Sequence, residues 1–160
     1  MKKLTVLLFF LAATLSRAED APVSESRFIV GFGGGYEAGN GLRLGMKWGP
    51  DAVELGLGLL YDAQNAELKY STGLRYLHDL YNGRLNNTYV WTGAGIMGHQ
   101  RTGDAGYLAS AGAGLGISLH FGLPFHINFD SGWHVYYDGD ISYHEIQVGP
   151  TINGDLVYEW

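Results

Sequence analysis

Cysteine is absent from this 160-residue chain. No disulfide can staple the domain, so packing and backbone pairing must hold it. A lipid carried on a cleavage-site cysteine is excluded for the same reason. Basic residues are scarce, with 10 Lys and Arg against 16 Asp and Glu. That balance excludes nucleic acid as a partner, which needs a concentrated basic surface. Charged residues of either sign make up only 16% of the chain, beside 25 glycines and 11 tyrosines. This is not the composition of a water-soluble helical protein. Beyond the first residues no apolar run approaches the roughly 20 that a membrane-crossing helix needs. If the chain meets a membrane, it must do so as strands. No phosphate loop, nucleophile elbow or zinc motif occurs.

The beginning has its own character. Lys2 and Lys3 precede an apolar run from Leu4 to Leu15, and Ser16-Arg17-Ala18 forms a small-x-small cleavage signal. The run is too short to span a bilayer, so residues 1–18 are expected to be a signal peptide and residues 19–160 an exported domain. Removing Lys2, Lys3 and Arg17 with that segment leaves the domain more acidic still.

From Arg27 onward helical periodicity is missing and two-residue alternation recurs between turn residues. Phe28, Val30, Phe32 and Tyr36 share one face of the first segment, opposite Ile29, Gly31, Gly33 and Gly35. Similar rows follow: Leu42 to Trp48, Val53 to Tyr61, Leu68 to Tyr76, Tyr107 to Leu119, Phe125 to Tyr137 and Ile146 to Trp160. A further segment around "TYVWTGAGIMGH" changes phase between Tyr89-Trp91 and Ala94-Ile96, which predicts a bulge there. Pro150 predicts another, because proline has no N–H to give a neighbouring strand. The count is eight strands joined by short connections, of which Asn82-Gly83 is the clearest hairpin turn. Connections around Ala38, Gln64, Gly103 and Asp138 share one end of the molecule.

Alternation alone does not say which row faces out. The polar rows decide, because the one through Ser110 to His120 reads mostly serine and glycine. A water-facing row would carry charges. A narrow eight-stranded lumen favours small residues instead. Aromatics near strand ends, such as Tyr36, Trp48, Tyr61, Tyr107 and Trp160, suit the interfacial girdles of a membrane barrel. The predicted fold is all-β, an eight-stranded antiparallel up-and-down transmembrane β-barrel.

With its leader, eight alternating strands and terminal "GDLVYEW", the chain resembles the OmpA/OmpX-like small outer-membrane barrels of Gram-negative bacteria. The resemblance is architectural and covers the whole exported part. It implies an outer-membrane location, with outer-membrane lipids and lipopolysaccharide as surroundings and both termini periplasmic. Leu156, Tyr158 and Trp160 resemble the C-terminal assembly signal, with Trp where Phe is commoner. That implies the barrel-assembly machinery and periplasmic chaperones as partners during biogenesis. A monomer is expected.

Two sets of lumen residues stand out. Arg43, Lys47, Glu54, Glu67, Lys69 and Arg75 are expected to pair, centred on Lys47–Glu54–Arg75. Ser118, His120, His126, Asn128, Asp130 and His134 form a polar face over the sixth and seventh strands. Along one strand His126, Asp130 and His134 are roughly 13 Å apart in turn, so no dyad forms within the strand. Pairing across the hairpin could set His126 beside Ser118 or His120, and His134 near Ser110 or Gly112. A Ser–His pair would resemble the lipid A deacylases such as PagL, although Asn128 stands where that family's motif has serine. The expected role is structural or surface-interacting, without catalysis, cofactor or metal. The alternatives are a small non-specific pore and a lipid-modifying enzyme.

Overall fold

The computed structural model describes residues 26–35, 40–64, 66–101, 104–121, 124–139 and 145–160. The predicted leader, Tyr36, Ala38, Gly103 and His144 lie outside them. Eight strands follow one another: β1 Arg27–Gly34, β2 Gly41–Trp48, β3 Asp51–Asp62, β4 Glu67–Asn82, β5 Asn86–Arg101, β6 Asp104–His120, β7 Phe125–Asp138 and β8 Glu145–Glu159. Each pairs antiparallel with the next, and β8 pairs back onto β1 to close the barrel. Closure leaves no free edge along the paired length.

The period-two pattern of the strands separates the two surfaces. Phe32, Leu59, Trp133 and Ile152 stand outward and exposed, Ile152 to 83%. Arg43, Glu54, Asp130 and Asp155 are buried inside. A water-soluble fold places these groups the other way round. An apolar outside around a polar, ion-paired inside is the arrangement of a transmembrane β-barrel.

The fifth strand resolves its own ambiguity. Asn87, Tyr89 and Trp91 point into the lumen, while Thr92, Ala94 and Ile96 face out. No bulge interrupts β5 against β6. The irregularity lies in β4, between Asp79 and Tyr81, where the register against β5 shifts by one residue, so that Tyr81 turns outward and Asn82 inward. The strand misleads because its lumen row carries aromatics and its outer row small residues. Lumen space explains the inversion. Tyr89 sits opposite Gly116 and Trp91 opposite Gly114. A Cβ on Gly116 would come within 2.3 Å of the Tyr89 ring.

The bulge predicted at Pro150 is not formed, since β7 and β8 keep one register from Phe125↔Tyr158 to Asp138↔Glu145. Pairing of β8 with β1 stops at Gly154, so at Pro150 β8 is paired on one side only among the described residues. Proline is tolerated on such a strand edge.

At the start of β2 the chain turns sharply, with φ of 134° at Gly41. A Cβ there would also meet the Leu57 carbonyl oxygen at 2.5 Å. Gly41→Ala is therefore expected to cost more than about 1 kcal/mol, readable in urea unfolding of the refolded protein.

Candidate functional site

The lumen holds the chemistry, arranged as one ionic layer between two cavities. β4 delivers Arg75 to the centre, where its side chain has no solvent exposure. Nη1 donates to Asp130 Oδ2 at 2.9 Å. Nη2 donates to Glu54 Oε2 at 2.8 Å and to Asp155 Oδ2 at 2.7 Å. The three carboxylates come from β3, β7 and β8, so a single guanidinium ties together strands from around the barrel. Its planar fork is suited to this, as an ammonium is not. Arg43 of β2 adds Nε to Asp155 Oδ1 at 2.9 Å.

Two arginines face three carboxylates in this layer. Neutral donors meet the remaining acceptor capacity. Tyr89 donates its hydroxyl to Asp130 Oδ2 at 3.1 Å, and Asn153 donates its amide to Asp130 Oδ1. Thr151 completes that side by donating to Asn153 Oδ1 at 3.4 Å. Trp91, two residues along β5 from the Gly93 that stands opposite Arg75, is buried with only 2% of its surface exposed. In a low-dielectric interior such a layer holds only because each ion is paired and hydrogen-bonded.

Not every residue anticipated from sequence belongs here. Arg43, Glu54, Arg75 and Asp130 meet, but Lys47 does not reach Glu54. The β2–β3 turn is only Gly49-Pro50, so Lys47 lies opposite Ala52 and Glu54 opposite Gly45. Lys47 bonds Asp79 Oδ2 instead, at 2.7 Å, nearer the end of the barrel that holds the termini. Lys69 pairs with Glu67 at 3.3 Å in the opposite end, and its side chain is half exposed. Asp155, Tyr89, Asn153 and Trp91 are the residues that sequence reasoning does not single out. Their lumen phase, together with the glycines of β6, is the signal that could have found two of them.

The histidine face is placed by the β6–β7 register. His126 stands opposite His120, with ring centroids 4.2 Å apart, and Ser118 stands opposite Asn128. His134 stands opposite Gly112 and stacks edge-on against Tyr136 at 5.0 Å. Ser118 and His126 therefore do not face each other across the hairpin. His126 Nε2 lies 3.2 Å from Glu159 Oε2. These groups, with Arg27, Lys47 and Asn87, line a cavity of about 540 Å³ at the end holding the termini. Among the described residues no group of three or more His, Asp or Glu is arranged to hold a metal ion. His78 bonds Asp51 at 2.8 Å on the outer face of the strands.

At the other end a larger cavity of about 1180 Å³ opens above the ionic layer, lined by residues that include Ser71, Met97, His99 and Asp138. The ionic layer separates the two. Leu156 on β8 and Trp160 just beyond it stand outward at 52% and 57% exposure, Tyr158 between them packing on Phe125 and Trp160.

No protein-family model matches this chain, and no curated protein matches it. Among solved structures it is similar to a major outer membrane protein from Thermus thermophilus. The identity is 12%, the TM-score 0.40, and the match covers 85% of this chain and 100% of that one.

Proposed function

We propose that the protein is an integral outer-membrane β-barrel with a structural or surface-interaction role and no catalytic site. The observation that carries this reading is the pairing of a continuous apolar outer face with a lumen closed by buried ions. Lipid would cover the first, and the second leaves no open water path through the middle. Strand number and up-and-down connectivity support the resemblance to OmpA/OmpX-like barrels. The outward Leu156, Tyr158 and Trp160 on the last strand support recognition by the assembly machinery. In this reading a leader spanning residues 1–18 directs export, and the surrounding lipids include lipopolysaccharide. The chain works as a monomer without cofactor.

The geometry weighs against the two alternatives. A pore needs a passage where Arg75 and its three partners now stand. A lipid A hydrolase of the PagL kind needs a Ser–His pair, and Ser118 and His126 stand opposite other residues.

Reconstitution tests the reading. Urea-washed vesicles are expected to retain the protein, and planar bilayers containing it should show no steady conductance. Brominated acyl chains should quench the fluorescence of outward Trp48, Trp133 and Trp160 while sparing Trp91. Extraction by urea would overturn the membrane assignment. A steady open current would favour the pore.

A further inference from the structure

The outward rows of the strands are apolar or aromatic nearly throughout, with one exception near the end that holds the termini. Among the described residues of these rows, Asp51 is the only acid and His78 the only histidine, and no lysine or arginine joins them. The two stand opposite each other, Asp51 at the start of β3 and His78 on β4. Ionisable side chains turned toward lipid are rare and mark functional positions.

Local sequence brings them together. The Gly49-Pro50 turn ends just before Asp51, so β3 begins with this carboxylate facing out, across from Trp48. Alternation along β4 puts Tyr76 and His78 on the same outer face. His78 Nδ1 lies 2.8 Å from Asp51 Oδ1, and the Tyr76 hydroxyl donates to that same oxygen. An ionised carboxylate only accepts, so Nδ1 carries the proton. Asp51 Oδ2 and His78 Nε2 have no partner among the described residues. The two side chains are 27% and 31% exposed, within reach of whatever covers this face. Lys47, close by in sequence, gives Asp51 no charge partner, because it bonds Asp79 on the lumen side.

Depth fixes the surroundings. Trp48, Phe125 and Trp160 stand outward at this end of the barrel, with Tyr158 packed on the last two. Such an aromatic girdle sits at headgroup level. Asp51, directly opposite Trp48, therefore faces lipid headgroups rather than hydrocarbon.

We propose that Asp51, His78 and Trp48 form a site for the headgroup of an aminophospholipid, with its primary ammonium on Asp51 Oδ2. The proposal rests on the membrane reading above. Chemistry selects among headgroups. A carboxylate with one oxygen free offers a negative charge and an acceptor, and a primary ammonium meets both with one N–H. A choline headgroup has no N–H to donate, and an anionic headgroup is repelled. The Trp48 ring beside the carboxylate adds a face for the cation. His78 Nε2 is left for the adjoining phosphate, to which it donates when protonated.

Trp48 itself reports on the site. Trp133→Phe with Trp160→Phe leaves it as the one outward tryptophan, since Trp91 is buried. That protein is refolded in phosphatidylcholine vesicles holding a minor fraction of brominated phosphatidylethanolamine, phosphatidylcholine or phosphatidylglycerol. Quenching of Trp48 should give phosphatidylethanolamine an association constant about three- to fivefold above that of phosphatidylcholine, the yield of a partly exposed charge pair. Asp51→Asn should abolish that preference. A Trp48→Phe, Trp160→Phe protein, which reports from Trp133 on β7, should show none. Equal quenching of Trp48 by the three lipids, or a preference for phosphatidylglycerol, would overturn the site while leaving the membrane reading intact. So would a preference that survives Asp51→Asn. No quenching of either Trp48 or Trp133 would overturn the membrane reading and the site with it. The comparison of lipids at Trp48 leaves Asp51 and His78 untouched, so it decides the matter even if Asp51→Asn does not refold.

Discussion

Arg75→Ala should lower the unfolding free energy by about 3–5 kcal/mol, the usual loss when one partner is removed from a buried ion pair. The size follows from what is left behind. Glu54, Asp130 and Asp155 are each no more than 4% exposed, and all three would remain in place. Asp155 keeps Arg43 at 2.9 Å, and Asp130 keeps Tyr89 and Asn153. Glu54 loses the guanidinium it pairs with. Three carboxylates around a vacated centre then repel one another at low dielectric. Arg75→Lys should recover less than half of the loss, because one ammonium cannot reproduce the fork that reaches three acceptors. Urea unfolding of the refolded protein in lipid vesicles measures both. A loss below about 1 kcal/mol, the range of exposed pairs, would mean the layer does not organise the barrel. The same variant has a second readout. Removing the guanidinium joins the two cavities, so Arg75→Ala should pass current in bilayers where the parent protein does not.

Trp91→Ala should cost a similar amount, about 3–5 kcal/mol, by emptying the largest fully buried side-chain volume in the lumen. The surrounding wall cannot collapse to fill it, since the backbone ring of a closed barrel sets the diameter. Gly114 opposite offers no side chain to move in. A finer comparison separates packing from polarity. The Trp91 indole N–H has no hydrogen-bond partner among the described residues. Leaving such a donor buried costs about 1–3 kcal/mol. Trp91→Phe deletes that donor while keeping most of the ring, so it should cost less than half of what Trp91→Ala costs. Equal losses for the two variants would show that the indole N–H is bonded in the folded protein. The parent protein's Trp91 should also be the tryptophan least sensitive to brominated chains.

Alternation was legible because it is a local property of extended backbone. Successive side chains point to opposite faces whatever the strand's neighbours are. Phe28-Val30-Phe32, Leu42-Leu44-Met46 and Leu55-Leu57-Leu59 therefore declare their outer face without reference to anything distant. The glycine and serine row of β6 reveals the opposite face for the same reason. Where lumen packing outweighs that pattern, as in β5, sequence reading loses the phase. Tyr89 and Trp91 look like lipid-facing aromatics until the glycines across from them are seen to make room.

Partners inside the lumen are of another kind. Arg43 meets Asp155 across 112 positions of sequence, and Arg75 meets Asp155 across 80. Those meetings depend on closure and on the register of every hairpin between. A turn shortened to Gly49-Pro50 sufficed to move Lys47 away from Glu54 and onto Asp79. Glu54 opposite Arg75 could be anticipated because one hairpin joins them, and the structure keeps that pair in register.

The sequence by itself thus determined that strands alternate, how many there are, and, outside β5, which residues meet lipid and which the lumen. Only the tertiary structure decided that Arg75 is the hub of the lumen, that His120 and His126 stack, and that β8 keeps its register against β7 through Pro150. Alternation is written in each residue's immediate neighbours. Register and closure arise only when eight strands share one circumference.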